Sequence, residues 1–138
     1  MEVEGVDGST ESPGGGATLI AFMSFAVMRG FGAQHPMIAL ADRVHDAHKV
    51  RLGPLTTFYE AKADDAEDLE KLELAWQDAE PLAHSIGSLT SAIATDEQCQ
   101  ALVRRAEAES LTAEAEALLP ALSAATGAGR RVRLVYEL

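Results

Sequence analysis

The chain has few aromatic residues, few cations, one cysteine and no apolar run long enough to span a bilayer. Because Cys99 is the only cysteine, no disulfide can form within the chain, and the composition is typical of a reducing compartment. Residues 17–28, the longest apolar run, number twelve, whereas a membrane-spanning helix needs about 20. Acidic residues precede this run, where an export signal carries positive charge. We therefore expect a cytoplasmic protein with no membrane partner.

The shortage of cations restricts the partners further. The chain has 11 Lys and Arg residues and 22 Asp and Glu residues, which gives a formal net charge of −11. Such a charge repels phosphate backbones, so we expect no nucleic acid partner. The one basic cluster, Arg130, Arg131 and Arg133, is too small for a nucleic-acid footprint, and we expect it to pair with the acidic helix, within the fold or across a dimer. A basic protein surface or a metal ion remains a suitable partner, unless the acidity serves solubility alone.

Length and hydrophobicity indicate one globular domain. The chain has 138 residues, of which 47% are hydrophobic, and this is enough to bury a substantial core. Residues 1–16 are acidic and rich in Gly and Ser, and they offer little apolar surface to offset the entropy of ordering. We therefore expect a disordered tail over 1–16 and a single helical domain with terminal strands over 17–138.

Two segments at the ends of the proposed domain are predicted to form strands. Residues 18–28 are apolar without a helical period, which favours a buried strand. Residues 131–138 alternate, with Val132, Leu134, Tyr136 and Leu138 on one face. Because a single strand needs a partner, we expect the two to pair under a cover of helices. The predicted fold is mainly α (α+β), with about five helices and a small two-stranded sheet from the N- and C-terminal strands.

The residues between these strands follow a helical period. Pro36 is suited to open the first helix, and Thr95 followed by Gln98 has the form of a capping box. Pro120 is expected to kink or split the last helix near Leu119. The helices are predicted to begin near Pro36, Asp64, Pro81, Thr95 and Thr112, with Leu69, Leu72 and Trp76 forming the buried stripe of the second.

The most charged part of the chain is the stretch from Glu60 to Glu80. Nine acidic residues and two lysines give it a net charge of −7 over 21 residues. The helix dipole favours carboxylates in a first turn, and an exposed acidic face attracts and steers a basic partner. The alternative is a merely solvated face. The predicted docking face consists of Asp64, Asp65, Glu67, Asp68, Glu70 and Glu73.

A second polar group lies on the first helix. Asp42, His45 and Asp46 fall at i, i+3 and i+4 and share one face, where imidazole and carboxylate groups suit a divalent transition metal. His35 near the helix start is a possible further ligand, and a solvated face with local ion pairs is the alternative. Cys99 follows the apolar stripe of its helix, so we interpret it as a small buried hydrophobe.

The residues carry no motif that names a reaction or a family, and three functions remain open. The first is a non-catalytic protein-binding module of the immunity, antitoxin or adaptor type, whose acidic helix binds a basic protein. The second is a metal-dependent enzyme or metal sensor that uses Asp42, His45 and Asp46. The third is a structural homo-oligomer whose sheet edges pair between copies. We expect no organic cofactor, and we favour the first, non-enzymatic function.

Overall fold

Helices dominate the computed structural model, which describes residues 1–29, 35–60 and 62–136. Within these residues there are seven α-helices longer than one turn, one single-turn helix and four short strands. This confirms the mainly α (α+β) prediction, with seven helices in place of about five. In chain order the elements are β1 (Glu2–Val3), α1 (Ala17–Val27), α2 (Pro36–His48), α3 (Gly53–Thr56), β2 (Phe58–Glu60), α4 (Ala66–Leu74), β3 (Gln77–Asp78), α5 (Ala79–Thr95), α6 (Glu97–Arg105), α7 (Leu111–Glu116), α8 (Leu119–Ala128) and β4 (Arg131–Tyr136).

The predicted strand over 18–28 is wrong, because these residues form α1. Leu19, Phe22, Met23 and Ala26 are buried at i, i+3, i+4 and i+7, so the segment does have a core-facing side. Its other side is also apolar, and this hid the helical period in the sequence. Among the described residues, no helix combines the length and the apolar character needed to cross a membrane.

The sheet is built around β4. β1 pairs with it in antiparallel register, Glu2 opposite Arg133 and Val3 opposite Val132. β2 pairs with β4 in parallel register and β3 in antiparallel register, on the edge opposite to β1. The two ends of the chain therefore do meet in a sheet, but the N-terminal partner is residues 2–3. Within residues 1–16, for which we expect disorder, Glu2–Val3 form β1 and Pro13–Gly16 form a 3-10 turn.

The core gathers around α5. Leu82, Ile86 and Leu89 are fully buried, and Ile93 is 8% exposed, as their helical spacing predicts. α5 packs against α8 on one side and α6 and α7 on others. Most of the buried apolar residues form one cluster that extends from the N-terminal segment to β4.

Two helix boundaries are set by single residues. Asp96 caps α6, since its carboxylate accepts the backbone N–H of Gln98 at 2.9 Å, so the cap lies one residue beyond the predicted Thr95. Pro120 is found in the first turn of α8, because proline has no N–H to donate and suits a helix start. The last predicted helix is thus split into α7 and α8 near Leu119, as expected.

Candidate functional site

The acidic helix α4 lies on the surface and buries one residue of its nine. Leu72 is 9% exposed and faces the protein. Leu69 is 59% exposed and Leu74 is 71% exposed, so the predicted buried stripe is wrong for Leu69. Trp76, beyond the end of the helix, is partly buried. A helix of this length with a single buried residue presents most of its circumference to solvent.

The six predicted docking residues divide into two groups. Asp65 caps α4 by accepting the N–H of Asp68 at 2.9 Å, and Asp68 accepts the N–H of Asp64 at 3.1 Å. These two carboxylates therefore hold the helix start together. Glu67, Glu70 and Glu73 are exposed along the body of the helix, and Asp64 is exposed before it.

The side of α4 opposite to Leu72 combines charge with an apolar side chain. At 3.6 residues per turn, Glu67, Glu70 and Leu74 fall at i, i+3 and i+7 on this side. We call these three residues the outer face of α4. Lys71 borders it and lies 3.8 Å from Glu67, whereas no ion pair of Glu70 is found among the described residues. Two exposed carboxylates therefore precede an exposed leucine along the same side of the helix.

Arg133 connects α4 with the sheet. Its guanidinium donates to the carbonyl of Leu72 at 3.0 Å, covers the ring of Trp76 at 4.3 Å and pairs with Glu2 at 2.7 Å. A guanidinium that contacts a carbonyl, an aromatic face and a carboxylate fixes the orientation of the segment that bears them. α4 is therefore held by its inner side and its C-terminal end, which leaves the outer face free.

The other arginines at the end of the chain pair with the N-terminal segment. Arg131 lies 2.6 Å from a carboxylate oxygen of Glu4, and Arg130 donates to the Glu4 carbonyl at 3.0 Å. The hydrogen bond from Arg131 holds the pKa of Glu4 below its ordinary value. Glu73 contributes only a longer-range attraction to Arg131. Among the described residues the arginines therefore form their ion pairs with Glu2 and Glu4 of the N-terminal segment, and not with the carboxylates of the acidic helix as expected. The charge of α4 stays largely available to another molecule.

Of the three residues of the predicted metal site, His45 and Asp46 contact each other, whereas Asp42 contacts a different side chain. His45 Nδ1 lies 2.8 Å from Asp46 Oδ1 on an exposed surface, and this contact lowers the pKa of Asp46. Asp42 instead faces Arg29 at 3.5 Å. His45 and Asp46 line an open cleft of about 720 Å³ between α1, α2 and α3. Among the described residues, Asp42, His45 and Asp46 do not form a group whose ligand atoms all lie within 4.8 Å. Metal binding by these residues stays a prediction.

His35, the other candidate ligand, has structural partners. Its Nδ1 accepts the N–H of Met37 at 3.1 Å and so caps α2. Its ring stacks on Phe25 with centroids 4.1 Å apart. Both contacts orient the imidazole for a capping role at the start of α2.

A polar cluster that the sequence did not reveal lies between α2 and α6. Asp96 Oδ2 lies 2.7 Å from His48 Nε2 and accepts a hydrogen bond from Arg43 Nε at 2.9 Å. These contacts, that with His48 foremost, bring the pKa of Asp96 far below its ordinary value. Burial and the neighbouring Asp96 raise the pKa of the Cys99 thiol to about 11, so the side chain without a bound cation favours the protonated thiol. Asp96 and Cys99 stand at an i, i+3 spacing in one helix start, but nothing local to that spacing indicates His48.

Comparisons with known proteins do not assign a role to these residues. The chain matches no protein-family model, no curated protein and no solved structure. The functional argument therefore depends on the geometry and charge described above.

Proposed function

We propose that this chain is a non-catalytic protein-binding module, of the immunity, antitoxin or adaptor type, that docks a basic protein surface on the outer face of α4. The observation that carries this proposal is the 71% exposure of Leu74 beside the exposed carboxylates of Glu67 and Glu70. An exposed leucine near carboxylates supplies the kind of apolar contact that an interface places within a polar rim.

The chemistry of the outer face defines the partner. Carboxylates at i and i+3 with a leucine at i+7 match a surface that presents Lys or Arg around an apolar recess. The net charge of −7 over residues 60–80 attracts such a surface over a distance of about one Debye length. Association is expected to be fast at low salt and to slow as salt is added.

We also propose that the module works in the cytoplasm. Its single cysteine is buried in the core, where it requires no oxidation to stabilise the fold. A reducing compartment keeps such a thiol free.

Binding of a defined basic probe tests the docking proposal. The probe is an amphipathic helical peptide of Lys and Leu, and the same peptide with Glu for Lys is its control. Calorimetry of the full chain at low and high salt gives the affinity. Because an exposed ion pair contributes about 0.5 kcal/mol, the double variant Glu67→Gln/Glu70→Gln is expected to weaken binding about fivefold at low salt. Leu74→Ser, which keeps the charge, is expected to weaken it about thirtyfold, since burial of a leucine contributes about 2 kcal/mol.

A matched charge change elsewhere separates docking from general attraction. Glu109 and Glu116 are exposed on or beside α7, so Glu109→Gln/Glu116→Gln removes the same charge away from α4. This control is expected to retain the affinity of the unmodified chain within about twofold. An equal loss in both double variants, or an unchanged affinity of the Leu74→Ser variant, would contradict docking at the outer face.

A further inference from the structure

Three side chains with nitrogen, oxygen and sulfur donors meet where α2 ends and α6 begins. His48 is the last residue of α2, Asp96 is the cap of α6, and Cys99 is the third residue of α6. One donor atom from each of the three lies within 4.8 Å of the other two. The packing of α2 against α6 therefore places together three residue types that bind transition metals.

The local backbone explains this convergence. A cap residue and the residue three positions later share one side of a helix start, so Asp96 and Cys99 both face α2. Lys49, just after His48, adopts a left-handed conformation with φ of 57°, which ends α2 at that point. The thiol is fully buried, and the side chains of Asp96 and His48 are 9% and 29% exposed. The donors are thus held by two helix ends, and one of them reaches solvent.

We propose that His48, Asp96 and Cys99 bind a divalent transition-metal ion, with Zn²⁺ as the ion that their chemistry suits best. Zn²⁺ takes imidazole nitrogen, carboxylate oxygen and thiolate sulfur at about 2.0–2.3 Å in tetrahedral geometry. Tetrahedral bonds of that length hold donor atoms about 3.3–3.8 Å apart, so the cluster reaches this geometry by side-chain movements of about 1 Å. The fourth position is left for water.

Metal binding replaces the hydrogen bond between His48 and Asp96 and the proton of the Cys99 thiol. His48 Nε2 and Asp96 Oδ2, which are hydrogen-bonded, become ligands, and the imidazole keeps its proton on Nδ1. The Cys99 thiol loses its proton to solvent and binds as thiolate. Thiolate and carboxylate together balance the two charges of the ion. Arg43 keeps its hydrogen bond to the carboxylate and serves as the outer partner that orients a ligating group.

An open groove gives the ion a route to this site. His48 lines a shallow cleft of about 420 Å³ over α5, together with His84 and Thr95. The exposed part of the imidazole therefore lies at the rim between the cleft and the buried thiol. None of these residues belongs to α4. A failure of metal binding would therefore not contradict docking of a basic partner, and a failure of docking would not contradict metal binding.

Cobalt uptake tests the proposal, because a Co²⁺–thiolate bond gives a charge-transfer band in the near ultraviolet. The tag-free full chain, first treated with a chelator, is titrated with Co²⁺ and then with Zn²⁺. We expect the thiolate band to saturate at one equivalent and to disappear as Zn²⁺ displaces Co²⁺. Zn²⁺ alone is expected to raise the melting temperature.

Variants locate the ion. His48→Gln and Cys99→Ala are expected to abolish the band, while their unfolding transitions without metal show that both variants fold. His84→Gln and His45→Gln serve as matched controls and are expected to keep it, and His45→Gln also examines the alternative site on α2. Absence of a thiolate band in the unmodified chain, its persistence in His48→Gln, or its loss in His84→Gln or His45→Gln would overturn the assignment.

Discussion

Glu114 is predicted to be the most important single carboxylate for stability. Its side chain is 3% exposed, and Oε1 accepts the backbone N–H groups of Thr18 and Leu19 at 2.8 and 3.1 Å. These N–H groups lie in the first turn of α1, whose cap residue, Gly16, has no side chain to satisfy them. Glu114, on α7, therefore caps α1, which lies about 95 residues earlier in the chain. The positive end of the α1 dipole also favours the negative charge of this carboxylate.

The expected magnitude follows from these contacts. Hydrogen bonds to a charged group contribute about 1.5–3 kcal/mol, and their removal leaves buried N–H groups without acceptors. Glu114→Ala is therefore expected to lower the free energy of unfolding by about 3 kcal/mol and the melting temperature by about 10 °C. Glu114→Gln, which keeps an acceptor oxygen, is expected to lose about half as much. Urea unfolding followed by circular dichroism measures both.

The acid dependence of stability gives an independent check. Burial raises the pKa of Glu114, but hydrogen bonds from Ser110, Leu19 and Thr18 outweigh it and leave the pKa below its ordinary value. The ionised carboxylate therefore stabilises the fold fully above the pKa of about 4.3 that Glu has in the unfolded chain, and this stabilisation is lost as the pH falls towards the folded pKa. Glu114→Gln is expected to flatten that loss, whereas Glu116→Ala, an exposed control on the same helix, leaves it unchanged. Equal stability of Glu114→Ala and Glu116→Ala would refute the reasoning.

Three further substitutions test other parts of the fold by the same unfolding measurement. Ser85→Ala is expected to leave the free energy of unfolding unchanged or to raise it by up to about 1 kcal/mol, since the buried Ser85 hydroxyl has no hydrogen-bond partner among the described residues. A clear loss of stability would show that the hydroxyl does have a partner. Phe22→Ala is expected to lower the free energy of unfolding by about 3–5 kcal/mol because the Phe22 side chain is fully buried. A much smaller decrease would contradict that packing. Gly129→Ala is expected to lower the free energy of unfolding by about 1 kcal/mol, because Gly129 ends α8 in a left-handed conformation with φ of 67°. The space around it is open, so the added methyl group meets no clash, and an increase in stability would contradict this conformation.

Patterns with a clear period were predictable from the sequence. The alternation of Val132 and Leu134 gave β4, and the spacing of Leu82, Ile86 and Leu89 gave the buried side of α5. Pro120 marked a helix boundary because it has no N–H to donate. Each of these signals is local, so it needs no knowledge of what packs against the segment.

Features that depend on distant residues were not predictable. α1 lacks a polar side, and its first turn is satisfied by Glu114, which the sequence places 95 residues away from Leu19. β1 is short, and its register is fixed by pairing with β4 rather than by its own pattern. His48 meets Asp96 only because α2 and α6 pack together.

The acidic helix itself was foreseen, whereas its exposed leucines were not. A Leu at helical spacing is usually buried, but in α4 only Leu72 is buried, and it lies outside the main hydrophobic cluster. The exposure of Leu74 therefore became visible only when the position of α4 on the sheet was known.

Thiol alkylation at position 74 tests the central claim most directly, because Cys99, the only cysteine in the sequence, is buried. In Leu74→Cys the introduced thiol is expected to react at the rate of a free thiol, and the Lys/Leu peptide is expected to slow this reaction. In Leu72→Cys the reaction is expected to be slow throughout. Slow alkylation at position 74 in the free protein, or a rate that the peptide leaves unchanged, would contradict an exposed docking face on α4.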